Sequence, residues 1–135
     1  VDVITSGKIP DAIICGNDAV ADAVISVLNV YYPDRHIPIC GQDADIAACQ
    51  NIICGYQDFT VYKPITLLAM KAAEYAVRIG KGEGVETIAA TGDTIDNGDS
   101  KIPCILLEPE VVTKDNIDEI FIDSGFHTHS EVYMD

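Results

Sequence analysis

The sequence predicts an α/β protein built on a parallel sheet, and three observations support this class. Short apolar runs alternate with segments of helical periodicity three times in the first 80 residues. Runs of this kind are typical of strands that are buried on both faces of a parallel sheet. Hydrophobic residues make up 48% of the 135 residues, which is enough to form a core and too many for a disordered chain.

The first strand–helix pair begins near the N-terminus. Residues 12–15 (AIIC) predict a strand, and 17–32 predict a helix because apolar residues recur there at helical spacing. Asn17 or Asp18 stands where the N-cap of this helix belongs. Pro33 marks its end.

Two further strand–helix pairs follow. Residues 37–41 (IPICG) and 59–62 (FTVY) predict strands, and the second is rich in β-branched and aromatic residues. Residues 44–53 predict a helix that ends at Gly55, since glycine suits a left-handed C-cap. Residues 65–80 predict a long helix directly after a proline, which is tolerated in a first helical turn.

The pattern changes after these pairs. Runs at 85–95 and 101–107 predict two strands, and the Asn97-Gly98 pair between them is a strong hairpin signal. A short helix is predicted to begin at residue 113 or 115 and to end at 120 or 122. The last residues, GFHTHSEVYMD, are expected to form a surface tail.

The charge balance excludes several classes of partner. Lys and Arg number 8 against 22 Asp and Glu, which gives a net charge of −14. This argues against nucleic acid, whose phosphates need clustered cations, and against docking on anionic lipid. No apolar run approaches the length of a membrane span, and the first residues, VDVITSGKIP, are not a signal peptide. We expect either a cytoplasmic protein or a chain whose natural start is missing.

The five cysteines cannot all pair within the chain, because their number is odd. We expect buried, unpaired thiols rather than a disulfide or a metal site, since Cys15, Cys40, Cys54 and Cys104 stand in apolar contexts.

Catalytic and metal-binding motifs are weak in this sequence. No nucleophile elbow, Walker loop or Rossmann glycine pattern is present, so neither an enzyme nor a cofactor is predicted. His127 and His129 with Glu131 are an alternative metal site, against which we favour a solvated tail. The acidic stretch 93–100 suggests calcium, but its spacing does not fit an EF-hand loop and a hairpin turn explains it better.

Polar residues follow each of the three predicted parallel strands: Asn17, Asp43 and Lys63. Ligands of such sheets bind beyond the carboxyl ends of the strands, so we expect these side chains to converge. An ionised Asp43 accepts two hydrogen bonds, Asn17 donates and accepts, and Lys63 donates, which suits the hydroxyls of a neutral polyol. The alternatives are helix caps at Asn17 and Asp43 and a solvated surface lysine.

Two segments resemble the C-terminal half of sugar-binding proteins of bacterial ABC importers, and most closely the D-xylose-binding group. These segments are GNDAVADAVISVL and PICGQDADIAACQNIICGYQDFTVYKPITLLAMKAAEYAV. GQDAD and TVYKP at this spacing are more specific together than either is alone. The late segment TIDNGDSKIPCILLEPEVVTKDNIDEIFIDSGFH also fits, so the likeness runs from about Pro10 to about His127.

The resemblance implies the C-terminal half of a type I periplasmic-binding-protein fold that contributes to both lobes. Residues 1–60 and 85–135 would lie in the C-terminal lobe, and 61–84 would pack on the N-terminal lobe. Asn17, Asp43 and Lys63 would bind the sugar, a pentose similar to D-xylose. The protein would be extracytoplasmic, in the periplasm or lipid-anchored, and would deliver solute to an ABC permease.

The resemblance also implies that the chain is a fragment associated with a missing N-terminal half. The apolar face of the predicted 65–80 helix would then lack its partner in this chain. That face comprises Leu68, Ala72, Tyr75, Ala76 and Ile79.

Two alternative functions share this fold. One is a membrane-anchored sugar receptor that regulates a sensor histidine kinase, with lobe closure as the signal. The other is the effector domain of a sugar-responsive repressor, which would require a helix-turn-helix segment upstream.

Overall fold

The computed structural model describes residues 6–89 and 92–135, which form two compact units. Unit 1 comprises Val1–Tyr62 and Glu110–Asp135, and unit 2 comprises Lys63–Pro109. Residues 85–109 thus group with unit 2, whereas the sequence-based division placed them with the first 60 residues. Which lobe of a two-lobe protein each unit belongs to stays a prediction.

The described residues form six strands, five α-helices and one π-helical turn. The strands are β1 (Ile13–Ile14), β2 (Ile39–Gln42), β3 (Phe59–Tyr62), β4 (Asp93–Asp96), β5 (Lys101–Cys104) and β6 (Glu110–Thr113). The helices are α1 (Asp18–Tyr31), α2 (Ile46–Cys54), α3 (Ile65–Gly80), α4 (Val85–Ala89) and α5 (His129–Tyr133), and the π-helical turn is Asp118–Ile122.

The sheet of unit 1 has the strand order β1-β2-β3-β6. The first three strands are parallel, as the repeated strand–helix pattern predicted, with Ile14 opposite Cys40 and Cys40 opposite Phe59. Strand β6 pairs antiparallel with β3, and Thr60 lies opposite Val112. The sequence did not predict β6, because its only apolar residues are two adjacent valines.

Two hydrophobic clusters form the core of unit 1. The first lies between α1 and the strands β1 and β2 and comprises Cys15, Ala21, Ile25, Leu28, Ile37 and Ile39. The second joins α2, β3, β6 and the C-terminal residues and comprises Ala44, Cys49, Ile52, Tyr62, Val112, Ile117, Phe121 and Val132. Burial of such side chains is the main favourable contribution to the folding of the unit.

The C-terminal residues pack into the second cluster, so the prediction of a surface tail is wrong. Val132 is fully buried, and the ring of Phe126 packs against those of Tyr62 and Phe121. Helix α5 begins with a capping box, in which Thr128 and Glu131 satisfy each other's backbone N–H groups. Polar residues between the apolar ones concealed this pattern in the sequence.

Unit 2 contains α3, α4 and the β4–β5 hairpin. The hairpin is confirmed: its strands are antiparallel, and Asp96 Oδ1 accepts a hydrogen bond from Gly98 N at 2.8 Å. Gly98 has a φ of 94°, a conformation that favours glycine. The strand predicted over 85–95 is wrong at its start, because Val85–Ala89 is helical. Residues 90 and 91 of that predicted strand lie outside the described residues.

Helix boundaries agree closely with the sequence patterns. Helix α3 spans the predicted 65–80, and β3 spans the predicted 59–62. Helix α2 ends at a left-handed Gly55, as predicted, but it begins two residues late because Asp45 is its N-cap. No α3 residue is buried.

The cysteines are all unpaired, but their burial differs from the prediction. Cys15, Cys40 and Cys49 are buried, Cys104 is half-buried and Cys54 is exposed. Burial raises the pKa of the Cys49 thiol to about 12, with a smaller contribution from the Asp18 charge, so this thiol is unreactive at neutral pH. Cys54 is exposed because it ends α2 beyond the core.

The histidine-containing segment gives no support to a metal site. His127 Nε2 lies 2.8 Å from the carbonyl oxygen of Ala44, and His129 Nδ1 lies 3.2 Å from an oxygen of Asp135. The third candidate, Glu131, belongs to the capping box of α5. Among residues 6–89 and 92–135, no His, Cys, Asp or Glu cluster has a metal-binding arrangement. No helix in the same part of the chain is long and apolar enough to cross a membrane.

Candidate functional site

Asn17 follows β1 and is the N-cap of α1. Its backbone is extended, with a φ of −159°, and its Oδ1 accepts a hydrogen bond from Val20 N at 3.0 Å. The capping role considered from the sequence is therefore confirmed. Because the cap uses Oδ1, a hydrogen bond from Asn17 to a ligand would come from Nδ2.

Asp43 directly follows β2 in a loop with an unusual backbone. The φ angle is 103° at Asp43 and 60° at Ala44. Residues other than glycine rarely have positive φ angles. Each such residue costs on the order of 1–3 kcal/mol and persists only where its surroundings hold it. Asp45, rather than Asp43, is the N-cap of α2, so the capping role considered for Asp43 is wrong.

Hydrogen bonds from three other parts of unit 1 hold this loop, which we call the 43–45 loop. They are Asp43 N to Val61 O (3.0 Å), Ala44 N to Thr60 Oγ1 (3.3 Å), Asp45 N to Asp18 Oδ2 (3.0 Å) and His127 Nε2 to Ala44 O (2.8 Å). The left-handed conformation is therefore fixed by tertiary contacts, not by local sequence preference.

Asp18 is the buried centre of this network, and only 2% of its surface is exposed. Its carboxylate accepts hydrogen bonds from Thr60 Oγ1 at 2.8 Å, Gln57 Nε2 at 3.0 Å and Asp45 N at 3.0 Å. Burial raises the pKa of Asp18, while the hydrogen bonds from these three donors oppose that rise. Asp18 thus links the start of α1, strand β3 and the 43–45 loop.

Gly41 in β2 makes room for the Asp18 carboxylate. A Cβ atom at position 41 would clash with Asp18 Oδ1 and would crowd its backbone nitrogen and Cα. Only glycine allows the carboxylate to lie against the strand in this way. The sequence shows a glycine inside the predicted strand 37–41 and an acidic residue, Asp18, in the first turn of the preceding helix. The sequence pattern alone did not show that these two residues are in contact.

The structure places two of the three predicted site residues at the same edge of the sheet of unit 1. Asn17 and Asp43 follow adjacent parallel strands, and the bond between Asp18 and Asp45 joins their two loops. Both side chains are half-buried at this edge of unit 1. Lys63 is exposed and is the first residue of unit 2. It shares with Asn17 and Asp43 only its place in the sequence, after the end of a parallel strand, which here is β3.

The chemistry of this edge suits hydroxyl groups. Asp43 supplies a carboxylate that accepts hydrogen bonds, and Asn17 supplies an amide that donates them. Helices α1 and α2 both begin at this edge, so their dipoles favour electron-rich oxygen atoms there.

Two of the curated relatives that match most of the chain are D-xylose-binding periplasmic proteins. The D-xylose-binding periplasmic protein of Haemophilus influenzae is 46% identical over 123 residues, which cover 91% of this chain and 36% of that protein. The protein of the same description from Escherichia coli is 45% identical over 122 residues, covering 90% and 36%. The chain thus spans little more than a third of the length of these relatives. No protein-family model matches the chain.

Solved structures of solute-binding proteins have the same fold over this segment. A carbohydrate transporter solute-binding protein from Chloroflexus aurantiacus, in complex with D-glucose, is 31% identical with a TM-score of 0.79, covering 89% of this chain and 34% of that one. An ABC transporter solute-binding protein from Clostridium phytofermentans, with bound β-D-glucose, is 32% identical with a TM-score of 0.79, covering 93% and 38%.

The parallel sheet, the polar loops at its carboxyl edge and these matches define a class of solute-binding proteins. Over most of its length the chain is similar to a segment of periplasmic sugar-binding proteins, about a third of their length. The resemblance to the D-xylose-binding group is confirmed, because the two relatives from Haemophilus influenzae and Escherichia coli carry that description.

Proposed function

We propose that this chain supplies part of the binding site of an extracytoplasmic receptor for a monosaccharide. In this proposal Asn17, Asp43 and Lys63 hydrogen-bond the sugar hydroxyls. One observation carries it: the loops of Asn17 and Asp43 follow adjacent parallel strands and are joined through the hydrogen bond from Asp45 N to Asp18. Ligands of open parallel sheets bind at this edge.

The proposed ligand is a pentose similar to D-xylose. The names of the two curated relatives support it, whereas both solved structures described above contain glucose. A charged acceptor at Asp43 bonds two neighbouring hydroxyls, an arrangement that pentoses and hexoses share. Selection of a pentose over a hexose therefore depends on whether the binding pocket has room for the sixth carbon and its hydroxyl group.

We further propose that the sugar is enclosed by lobe closure and handed to an ABC permease. Residues 1–60 and 85–135 would form the C-terminal lobe, and 61–84 would pack on a lobe supplied by the rest of the protein. The exposed side chains of α3 support this packing: Leu68 is 53% exposed and Ile79 47% exposed. Closure would then bring a second set of side chains onto the ligand.

The complete protein should bind D-xylose with a single site and more tightly than D-glucose, as measured by titration calorimetry. The Lys63→Met variant should lose about 1–3 kcal/mol of binding free energy, because a charged hydrogen-bond donor is removed. Lys81→Met is the matched control, since it removes the same charge from the exposed end of α3. Equal affinity in the wild type and Lys63→Met would remove Lys63 from the site, and no heat with either sugar would contradict the function.

The isolated 135-residue chain should associate with itself or with the rest of the protein. Its α3 helix exposes Ile65, Leu67, Met70 and Val77 besides the two residues named above, and exposed apolar faces of this kind drive association. Size-exclusion chromatography with light scattering measures this directly. A monodisperse, folded monomer of 14.5 kDa would contradict the proposed packing of α3.

A further inference from the structure

The 43–45 loop is held from one side by a residue far away in the chain. His127 Nε2 lies 2.8 Å from the carbonyl oxygen of Ala44, 83 residues earlier. A carbonyl oxygen only accepts hydrogen bonds, so Nε2 carries the proton and donates it. This bond acts on the peptide group between Ala44 and Asp45, which directly follows the two residues with a left-handed backbone, Asp43 and Ala44.

The imidazole ring is itself held in place. Its centroid lies 4.5 Å from that of Phe126 and 5.4 Å from that of Phe121, with interplanar angles of 61° and 79°. The backbone N–H of His127 also donates to Phe121 O at 3.1 Å. The two aromatic contacts and the backbone hydrogen bond restrict the imidazole ring. Its N–H group therefore loses little conformational entropy when it donates to Ala44 O.

The residues after His127 are anchored as firmly. Gln50 Nε2 of α2 donates to Glu131 O at 2.8 Å, and Tyr133 OH donates to Asp118 Oδ1 at 2.8 Å. Val132 is fully buried in the core. The segment 125–135 therefore forms a fixed strap beside the 43–45 loop.

We propose that His127 is a positioning residue for Asp43. Its hydrogen bond holds the Ala44 carbonyl, keeps the loop in its left-handed conformation and so directs the Asp43 carboxylate toward the ligand. The inference rests on the proposed role of Asp43 in binding sugar. In this proposal His127 affects sugar binding through the 43–45 loop and does not contact the ligand itself. It belongs to the segment that the sequence predicted to be a surface tail.

Two substitutions separate positioning from stability. His127→Phe keeps the aromatic contacts but has no N–H group, whereas His127→Gln loses the ring contacts but offers an amide N–H at a similar reach. If His127 positions the loop, His127→Phe should weaken D-xylose binding about five- to tenfold, and His127→Gln should restore most of it. Stability should follow the opposite order, because the phenyl ring packs in the aromatic cluster and the amide does not.

The experiment uses the complete protein, with D-xylose calorimetry and thermal unfolding on each variant. His129→Phe is the matched control on the same strap, since His129 is exposed and contacts Asp135 and Tyr133 instead. Affinity that follows stability, with the His127→Phe variant binding at least as well as His127→Gln, would overturn the inference.

A further variant, Asp43→Ala, distinguishes the two proposals. Lost affinity in Asp43→Ala together with wild-type affinity in His127→Phe overturns the positioning role and leaves the sugar site standing. Wild-type affinity in Asp43→Ala contradicts the sugar site itself. Faster hydrogen exchange of the Ala44 and Asp45 amides in His127→Phe, measured without sugar, would show that the histidine holds the loop in either case.

Discussion

Replacing Asp43 with alanine should cost about 2–4 kcal/mol of sugar-binding free energy, a loss of roughly 30- to 1,000-fold in affinity. The carboxylate is the charged acceptor of the proposed site, and its removal would leave the sugar hydroxyls that it is proposed to bind without their acceptor. Titration calorimetry of the complete protein with D-xylose measures the change.

Asp45→Ala is the control for this substitution. Asp45 is exposed, lies in the same loop and carries the same charge, and its side chain makes no capping bond to α2. Its removal should change the affinity by less than about 0.5 kcal/mol. Equal losses in the two variants would indicate that the net charge of the loop matters rather than the Asp43 carboxylate.

Replacing Asp18 with alanine should destabilise the protein by about 3–5 kcal/mol, the largest stability effect that we expect from a single substitution here. Three donors, Thr60 Oγ1, Gln57 Nε2 and Asp45 N, would lose their acceptor. The Gln57 side chain would keep only its hydrogen bond from Nε2 to Phe59 O at 3.0 Å, because the oxygen of its amide already has no hydrogen-bond partner among the described residues. Urea unfolding followed by circular dichroism measures the loss.

Asp22→Ala provides the comparison within the same helix. Asp22 is exposed and accepts one hydrogen bond, from Asn51 Nδ2 at 3.0 Å. Its removal should cost less than about 1 kcal/mol. Similar losses for Asp18→Ala and Asp22→Ala would contradict the central role of the buried carboxylate.

The stability supplied by Asp18 should also depend on pH. Because burial raises its folded-state pKa above the ordinary value of 3.8, the folded protein binds this proton more tightly than the unfolded chain. The part of the stability that depends on binding this proton is therefore fully present below 3.8 and is lost as the pH rises through the raised value, whereas the hydrogen bonds from the three donors remain when the carboxylate is ionised. The difference in unfolding free energy between wild type and Asp18→Asn, in which other groups cancel, should shrink over that range. A difference that grows with pH would mean that the pKa is lowered.

Periodicity was sufficient to predict the parallel strands and the longest helix. Residues 59–62 and 65–80 have strong, uninterrupted patterns, and their bounds agree with β3 and α3. Short elements failed for an equally physical reason. The β-branched residues of 85–89 favour a strand but form the helix α4, and β6 contains too few apolar residues to be distinguished from a loop.

The candidate site was predictable only in part. The positions of Asn17 and Asp43 follow from strand ends, which the sequence marks clearly. The burial of Asp18 does not, because the sequence could not decide which of two adjacent polar residues faces the core. The left-handed backbone at Asp43 and Ala44 depends on bonds from Thr60, Asp18 and His127, and such long-range contacts have no local signature.

The pairing of β6 with β3 has a consequence for synthesis on the ribosome. Strand β3 is synthesised almost 50 residues before its antiparallel neighbour, and the aromatic cluster around Tyr62 is complete only after Phe121 and Phe126 have been made. The entropy cost of closing the loop between the two strands grows only slowly with loop length. A contact between strands so far apart in the sequence nevertheless slows folding of the unit. Until β6 has been made, a nascent chain therefore has an unpaired sheet edge at β3, the kind of surface that chaperones engage.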